Sequence, residues 1–285
     1  MFITKTPFKL FKFLFKLFKL YLSYFKLRII TNLQYRADAW AGVSTQVFFG
    51  FMFIMVYLAF YESGTDSALP MNYQELVTYI WLQQAFFALI YPYEKDKELL
   101  DMIKNGNLAY ELIRPQDFYF KWYIKFLSKK IVSTLLRMWP ILLLGYILPY
   151  PYHLSLPISF MNLVIFIISL ILSVLLISSI NLFIHILTMY TIDDKGFITI
   201  YAAIAEVFMG GTIPLPFFPN WLLKIANLLP FRYIGDFPFR IYSGSISLYE
   251  GTHLLIGSFI WIIITIALGY SISKITLRKA VIQGG

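Results

Sequence analysis

Cysteine is absent from all 285 residues, which excludes disulfide bonds and thiolate metal sites. Charged residues are also scarce. They make up 14% of the chain and hydrophobic residues 59%, against roughly 25% and 45–50% in ordinary soluble domains. With a mean hydropathy of +0.69, this composition excludes a soluble protein and indicates that most of the chain lies in a lipid bilayer.

The sequence also lacks the motifs of common catalytic and nucleotide-binding sites. No glycine-rich loop followed by Lys-Ser or Lys-Thr is present, so the chain does not bind ATP through that motif. The three histidines, His153, His185 and His253, are scattered, with no second histidine at ligand spacing. We therefore expect no catalytic residue, no directly bound cofactor and no metal site.

Six apolar stretches approach or exceed the roughly 20 residues that a membrane-spanning helix needs. They are Trp40–Phe60, Leu76–Tyr93, Ser128–Leu148, Phe160–Met189, Phe197–Ile213 and His253–Ser273. The predicted fold is therefore an all-α integral membrane protein with six transmembrane helices. We expect one transmembrane domain over 37–285, preceded by a distinct N-terminal segment over 1–36.

Lysine and arginine are distributed unevenly between the two sides that six spans define. Twenty fall before the first span, in 94–130, in the 193–195 turn and in the C-terminal tail, whereas the opposite loops hold three. Because basic residues accumulate in cytoplasmic loops, both termini are predicted to be cytoplasmic. The net charge of +9 thus follows membrane topology, and we expect no nucleic-acid partner.

The N-terminal segment contains an amphipathic helix. Its lysines recur at steps of three and four residues, so they share one face of a helix whose other faces are apolar or aromatic. Such a helix lies in a bilayer surface with its charges toward headgroups and water. The basic face consists of Lys9, Lys12, Lys16 and Lys19.

The cytoplasmic segment 94–121 is longer than a simple connection between two spans requires. After a run of mixed charges, a small apolar cluster predicts a short amphipathic helix, which an Asn-Gly pair ends. We interpret this helix as a surface for a cytoplasmic partner, and the alternative is an ordinary connecting loop. The residues singled out here are Leu99, Leu100, Met102, Ile103, Gly106 and Arg114.

Two opposite charges, Arg137 and Glu206, lie within predicted spans. Both are nine residues from the cytoplasmic start of their span, which places each about 13 Å inside the boundary at about 1.5 Å per residue. Either charge alone would cost about 2.5–3.5 kcal/mol to insert, and opposite charges at equal depth offset one another. We predict a helix-to-helix ion pair, and the alternative is a charged lining of a transport path.

The stretch GGTIPLPFFPNWLLKIANLLPF at 210–231 is apolar but cannot form one continuous helix. Proline lacks an amide donor and disfavours helical geometry in the residue before it. Irregular backbone persists at membrane depth only where protein or water covers it, so we expect a re-entrant or interfacial element within an outer segment, 210–252. The alternative is a short apolar loop on the outer leaflet. The marker residues are Gly210, Gly211, Pro214, Pro216, Pro219 and Pro230.

Two of these segments resemble the ABC-2 type permeases, in particular the six-span exporter permeases that pair with a separate ATPase subunit. KNGNLAYELIRPQDFY at 104–119 carries the pattern Gly106, Leu112, Arg114, Pro115 and Asp117. The stretch at 210–231 carries Ile213-Pro214-Leu215, Phe218-Pro219 and Leu229-Pro230-Phe231. Together with the six-span layout, the resemblance covers almost the whole chain after Phe25.

The resemblance implies the permease subunit of an ATP-driven exporter in a bacterial cell membrane. In such permeases the N-terminal helix is an interface helix, a coupling helix follows the second span, and re-entrant helices lie between the fifth and sixth spans. The implied partners are a cytoplasmic ABC ATPase dimer that binds ATP and Mg²⁺, a second permease subunit, identical or related, and membrane lipid.

The resemblance leaves the cargo open among amphipathic, peptide, drug and lipid-like molecules. Two other functions remain for the chain on sequence grounds. A secondary transporter would favour inverted repeats and several ionisable groups near the membrane midplane. A membrane-embedded structural or immunity-type protein is the third possibility, because the chain alone has no energy source.

Overall fold

The computed structural model describes residues 6–34, 36–63, 69–104, 116–190 and 194–279, and these residues form helices and irregular connections without β-strands. The α-helices are α1 (Thr6–Asn32), α2 (Arg36–Glu62), α3 (Tyr73–Ala85), α4 (Phe87–Ile90), α5 (Lys97–Lys104), α6 (Phe118–Ile147), α7 (Phe160–Leu187), α8 (Asp194–Phe208), α9 (Asn220–Leu228), α10 (Asp236–Ser243) and α11 (Leu248–Lys279). The all-α class predicted from the sequence is confirmed for the described residues.

Four helices, α2, α6, α7 and α11, are long and apolar enough to cross a bilayer. They contain the first and sixth predicted spans and nearly all of the third and fourth. Helix α6 starts at Phe118, ten residues before the predicted span, because the side chain of Asp117 accepts the N–H of Phe120 and caps the helix there.

The second and fifth predicted spans correspond to shorter helices. Helix α3 has 13 residues and is separated from the four residues of α4 at Phe86, and α8 has 15 residues. None of these reaches the roughly 20 residues that cross a bilayer. Because Tyr91 precedes Pro92, the chain leaves helical geometry after α4. Six complete spans therefore stay a prediction.

Helix α7 is the centre of the bundle. Of its most apolar window 56% is buried, against 22–28% in the other three long helices. It packs against α6, α10 and α11. Helix α3 packs against α2, α6 and α10, and α4 packs against α6 and α7, so both helices of the α3–α4 break are held by the bundle.

Trp81 is the largest side chain of this inner layer, and none of its surface is exposed. It fits between α2 and α6 because glycines face it from both helices. A Cβ on Gly50 would lie 2.9 Å from its ring, and a Cβ on Gly145 would lie 3.1 Å away. The indole Nε1 donates to the carbonyl of Tyr152 at 2.8 Å, so the polar atom of this buried ring is satisfied.

The 210–243 region is a series of short helices, as its prolines predicted. Turns of 3₁₀-helix at Leu215–Phe217 and Pro230–Tyr233 flank α9, and α10 follows. Helix α10 ends at Gly244, whose φ of +86° is in the left-handed region that favours glycine. The placement of this region in a membrane stays a prediction.

Helix α1 docks along α6. The hydroxyl of Tyr21 accepts the N–H of Asp117 at 3.0 Å, which ties α1 to the residue that caps α6. Farther along α1, the guanidinium of Arg28 lies 3.5 Å from the carboxylate of Glu98 on α5. The N-terminal segment therefore forms a helix that contacts two other elements, and its role as an interface helix stays a prediction.

Candidate functional site

A cavity of about 640 Å³ lies between α2, the α3–α4 break, α6 and the end of α8. This volume is within the range of roughly 300–1,000 Å³ found for small-molecule sites. Its lining residues are Thr45, Gln46, Phe49, Phe53, Gln84, Phe87, Ala88, Tyr91, Tyr93, Glu94, Lys95, Lys129, Lys130, Ser133, Arg137, Glu206, Gly211 and Thr212. Aromatic residues of α2 and α4 form one part of the lining, here called the aromatic wall, and charged residues form another.

Helix α6 supplies three of the four cationic residues that line the cavity, Lys129, Lys130 and Arg137. Lys129, Ser133 and Arg137 are spaced four residues apart, so they share one face of the helix. Arg137 reaches across to α2, where a Cβ on Gly42 would lie 2.8 Å from its Cζ and Nη1 atoms. Glycine at that position therefore leaves the room that the guanidinium occupies.

The two intramembrane charges predicted from the sequence meet at this cavity. Arg137 lines it from α6 and Glu206 lines it from the last turns of α8. Both side chains are partly buried. The structure thus brings them to one site, and direct pairing of their charges stays a prediction.

A buried carboxylate, Glu94, organises one end of the cavity. It is 7% exposed, and its oxygens lie 3.0 Å from the ammonium of Lys129 and 3.5 Å from that of Lys130. The amide of Asn181 on α7 donates to the same carboxylate at 3.1 Å. Burial raises the pKa of Glu94, but Lys130 and Lys129 outweigh burial and hold that pKa below its ordinary value.

Lys130 also secures the backbone where α4 ends. It is 4% exposed, and its ammonium donates to the carbonyl of Tyr91 at 2.6 Å. A carbonyl after the last turn of a helix has no intrahelical partner, so this hydrogen bond satisfies a group that would otherwise be buried and unpaired. One lysine therefore connects Glu94, α6 and the end of the α3–α4 break.

A second network continues from this end toward α5. The ammonium of Lys125 lies 2.7 Å from the carboxylate of Asp96 and 2.6 Å from that of Glu98. The N–H of Asp96 donates to Nε2 of His185, and Nδ1 of that ring lies 2.7 Å from the carbonyl of Asn181. The chain between α4 and α5 is therefore held to α6 and α7 by ionic and hydrogen-bonded contacts.

At the other end of the cavity, α3 holds the turn after α8. The amide of Gln83 donates to the carbonyls of both Gly210 and Gly211. Gly210 has a φ of +78°, and a Cβ there would lie 2.5 Å from the hydroxyl of Tyr79. The buried carboxylate of Asp236 accepts the N–H of Leu215 at 3.2 Å and fixes the following 3₁₀ turn.

The predicted coupling residues divide into two groups. Leu99 and Leu100 are buried, 0% and 2% exposed, and pack against the membrane helices, and Met102 is partly buried beside them. These apolar residues anchor α5 to this chain, whereas Lys97, Glu98 and Asp101 are exposed. The side chain of Ile103 and residues Gly106 and Arg114 lie outside the described residues. A role in coupling stays a prediction.

The remaining predicted residues are placed as follows. On the basic face of α1, Lys16 and Lys19 are exposed, and the side chains of Lys9 and Lys12 lie outside the described residues. Gly211 lines the cavity beside the left-handed Gly210. Pro214, Pro216, Pro219 and Pro230 lie at the starts of, or within, the short helical turns of the 210–243 region.

Sequence reasoning missed the residues around Glu94. Asn181 and His185 are four residues apart on an otherwise apolar α7, and both are 1% exposed. Polar residues inside an apolar span were the available signal, because such residues require partners in a bilayer. The lysines of α6 had been counted only as markers of the cytoplasmic side.

Comparison with known families finds a match over most of the chain. The model of a family described as "ABC-2 family transporter protein" matches residues 40–284. No curated protein matches the chain at a significant level. The matched range contains α3 through α11 and all the residues that line the cavity.

Proposed function

The chain belongs to the ABC-2 family of transporter proteins, and from this premise we propose that it is the membrane permease subunit of an ATP-driven exporter. The observation that carries the proposal is the family match over 40–284, a range that holds the four long apolar helices almost completely. Export is proposed as the direction of transport.

The energy source is proposed to be a separate protein. The sequence contains no glycine-rich loop for phosphates, so a cytoplasmic ABC ATPase dimer would bind the ATP and Mg²⁺. The cavity beside α6 would then be the part of this subunit that contacts the cargo, with Arg137 and Glu206 on its wall.

The ATPase is proposed to contact α5 through its exposed face. Leu99 and Leu100 fix this helix to the membrane helices. A force that the ATPase applies to the exposed residues Lys97, Glu98 or Asp101 would therefore be transmitted into α6. Two ionic contacts of Glu98, with Lys125 and Arg28, connect the same helix to α6 and α1. We propose that the adjoining 105–115 segment belongs to the same contact surface.

In the proposed topology, the chain crosses a bacterial cell membrane six times with both termini in the cytoplasm. The fifth and sixth spans would be joined by a re-entrant element over 210–252. A second permease subunit, identical or related, would complete the transporter, and α1 would lie against lipid headgroups through its basic face. The 20-to-3 distribution of lysine and arginine supports this orientation.

Because the chain has no cysteine, its orientation is directly testable with single cysteines. Asp66→Cys should react with a membrane-impermeant thiol reagent in intact cells, and Asn105→Cys should react only after the cells are opened. Labelling with the reverse pattern would overturn the orientation. Equal labelling of both in intact cells would overturn the six-span arrangement.

The experiment that tests the proposed function is affinity purification of the full chain from its own cells. We expect an ABC ATPase to co-purify in near-stoichiometric amount, to be identified by mass spectrometry, and to hydrolyse ATP in the purified complex. A pure permease without any ATPase, from cells in which export is intact, would contradict the proposal. Transport that follows an ion gradient would then favour a secondary transporter.

A further inference from the structure

We infer that the cavity beside α6 binds an anionic amphiphile, a molecule with a phosphate or carboxylate group and a single apolar chain. The anionic group would lie near Lys129, and the chain would lie along the aromatic wall. This inference rests on the proposed transport function, because it names the class of cargo that this subunit would hold.

The charge of the cavity favours an anion. Four cationic side chains and two carboxylates line it. One of the carboxylates, Glu94, is already within 3.5 Å of two lysines, so its charge is compensated inside the protein. A cationic or neutral headgroup would meet the remaining positive charge without a matching contact.

Lys129 is placed to receive the anionic group. Its side chain is 47% exposed although one of its contacts is the ion pair with Glu94. An ammonium group has three donors, so a second acceptor can bind without breaking that pair. Lys130, by contrast, is 4% exposed and donates to the carbonyl of Tyr91, which makes it a support for the site.

The aromatic wall of the cavity suits a hydrocarbon chain. Phe49 and Phe53 lie one helical turn apart on α2, and Phe87 lines the same cavity from α4. The ring of Phe87 stacks on Tyr91 at 5.0 Å, which fixes one side of this wall. A hydrocarbon chain lying against these rings would bury apolar surface and would therefore be favoured over one exposed to water.

Gln84 gives an independent indication of a ligand. It is 3% exposed and lines the cavity, and its Oε1 atom has no hydrogen-bond partner among the described residues. The amide nitrogen of its neighbour Gln83, by contrast, donates to the carbonyls of Gly210 and Gly211. A buried acceptor without a partner is costly, so a ligand with a hydroxyl or amide donor beside its anionic group would satisfy it.

The test measures binding to the purified permease alone in nanodiscs of zwitterionic lipid. The probes are three photoreactive molecules with the same C12 chain and a terminal diazirine, ending in glycerol phosphate, phosphocholine or trimethylammonium. Crosslinked peptides are mapped by mass spectrometry, and saturation of the crosslink gives an apparent Kd. We expect the glycerol phosphate probe to label α2 and α4 at the cavity and to bind at least about tenfold more tightly than the trimethylammonium probe.

Matched variants test the two walls. Lys129→Gln should weaken binding of the anionic probe by about tenfold, as expected for loss of a charged hydrogen bond. Lys274→Gln, which removes a similarly exposed lysine paired to Asp117 outside the cavity, should leave it unchanged. On the aromatic wall, Phe53→Ala should weaken all three probes, and Phe160→Ala, at an exposed ring of α7 that does not line the cavity, should weaken none.

Further measurements distinguish the contributions of the charge, the hydroxyl groups and the apolar chain. Lys129→Arg should retain binding, which shows that any loss in Lys129→Gln comes from the charge. Gln84→Leu should weaken the glycerol phosphate probe more than a C12 phosphate without hydroxyls. An excess of inorganic phosphate should not displace the glycerol phosphate probe. Displacement by phosphate at the same concentration as the probe would mean that the site binds a free anion and not an amphiphile.

The inference is overturned if the three headgroups bind equally, if labelling falls outside the cavity, or if Lys129→Gln and Lys274→Gln behave alike. These outcomes do not depend on any ATPase, because the permease is measured alone. A complex that co-purifies with an ATPase but fails this binding test would retain the proposed function and lose the proposed cargo class.

Discussion

Glu94→Gln is a substitution for which the structure predicts a large loss of stability. The glutamine keeps the shape of the side chain but removes the negative charge that faces Lys129 at 3.0 Å and Lys130 at 3.5 Å. Lys130 is 4% exposed and would remain as a buried charge without its carboxylate. Breaking a buried pair from one side costs about 3–5 kcal/mol. We expect about 3 kcal/mol, the lower end, because Lys130 keeps its hydrogen bond to Tyr91.

The same residue predicts a pH dependence. Burial raises the pKa of Glu94, but Lys130 and Lys129 lower it below the ordinary value of 4.5. A carboxyl with a lower pKa in the folded state adds stability that is complete above its unfolded pKa and is lost as the pH falls through its folded pKa. The native protein should therefore lose this contribution only below pH 4.5, and Glu94→Gln should lack it at every pH.

Thermal unfolding of the purified protein in detergent, as a double-mutant cycle, is the assay for Glu94. Glu94→Gln should unfold at clearly lower temperature, and Glu94→Gln with Lys130→Met should recover part of the loss because no buried charge is stranded. Glu250→Gln, at an exposed carboxylate on α11, is the matched control and should change little. A loss for Glu94→Gln no larger than that of the control, or strictly additive losses in the cycle, would refute the reasoning.

Three further predictions, made with four substitutions, test other parts of the site. Arg137→Leu and Glu206→Gln should each lower the folded yield, and the double variant should recover part of it; additive losses would show that the two charges do not interact. Gly42→Ala should displace the guanidinium of Arg137, which lies 2.8 Å from the new Cβ, at a cost of about 1 kcal/mol, the low end for overpacking. The transport rate should therefore show a larger relative loss than the stability does. An unchanged transport rate would contradict the idea that transport depends on where the guanidinium of Arg137 lies. Asp101→Lys on the exposed face of α5 should reduce ATPase co-purification, whereas Glu250→Lys should not; equal effects would remove α5 from the interface.

The four long helices were predictable because an apolar run of about 20 residues identifies a span without any tertiary information. The α3–α4 break was not. Leu76–Tyr93 is one apolar run, and no proline or glycine marks Phe86, where the helix is interrupted. What holds the end of this run is Lys130, 39 positions away from Tyr91 in the chain. A contact between such distant positions leaves no local pattern.

The site was also predictable only in part. Matched depth from the span boundaries predicted that Arg137 and Glu206 lie at one level, and both line the cavity. The direction of the apolar cluster on α5 was not determined by its spacing, because an amphipathic helix can turn that face toward its own chain or toward a partner. Leu99 and Leu100 turn inward, where the aromatic start of α6 and the membrane helices cover them.

ATP hydrolysis by the reconstituted complex tests the central claim most directly. The co-purified ATPase is measured in liposomes with the native permease, with the Asp101→Lys variant and alone. The account predicts that the native permease changes the hydrolysis rate several-fold and that the variant changes it much less. An ATPase rate that is the same with and without the native permease, together with transport that follows an ion gradient in the absence of ATP, would contradict the account.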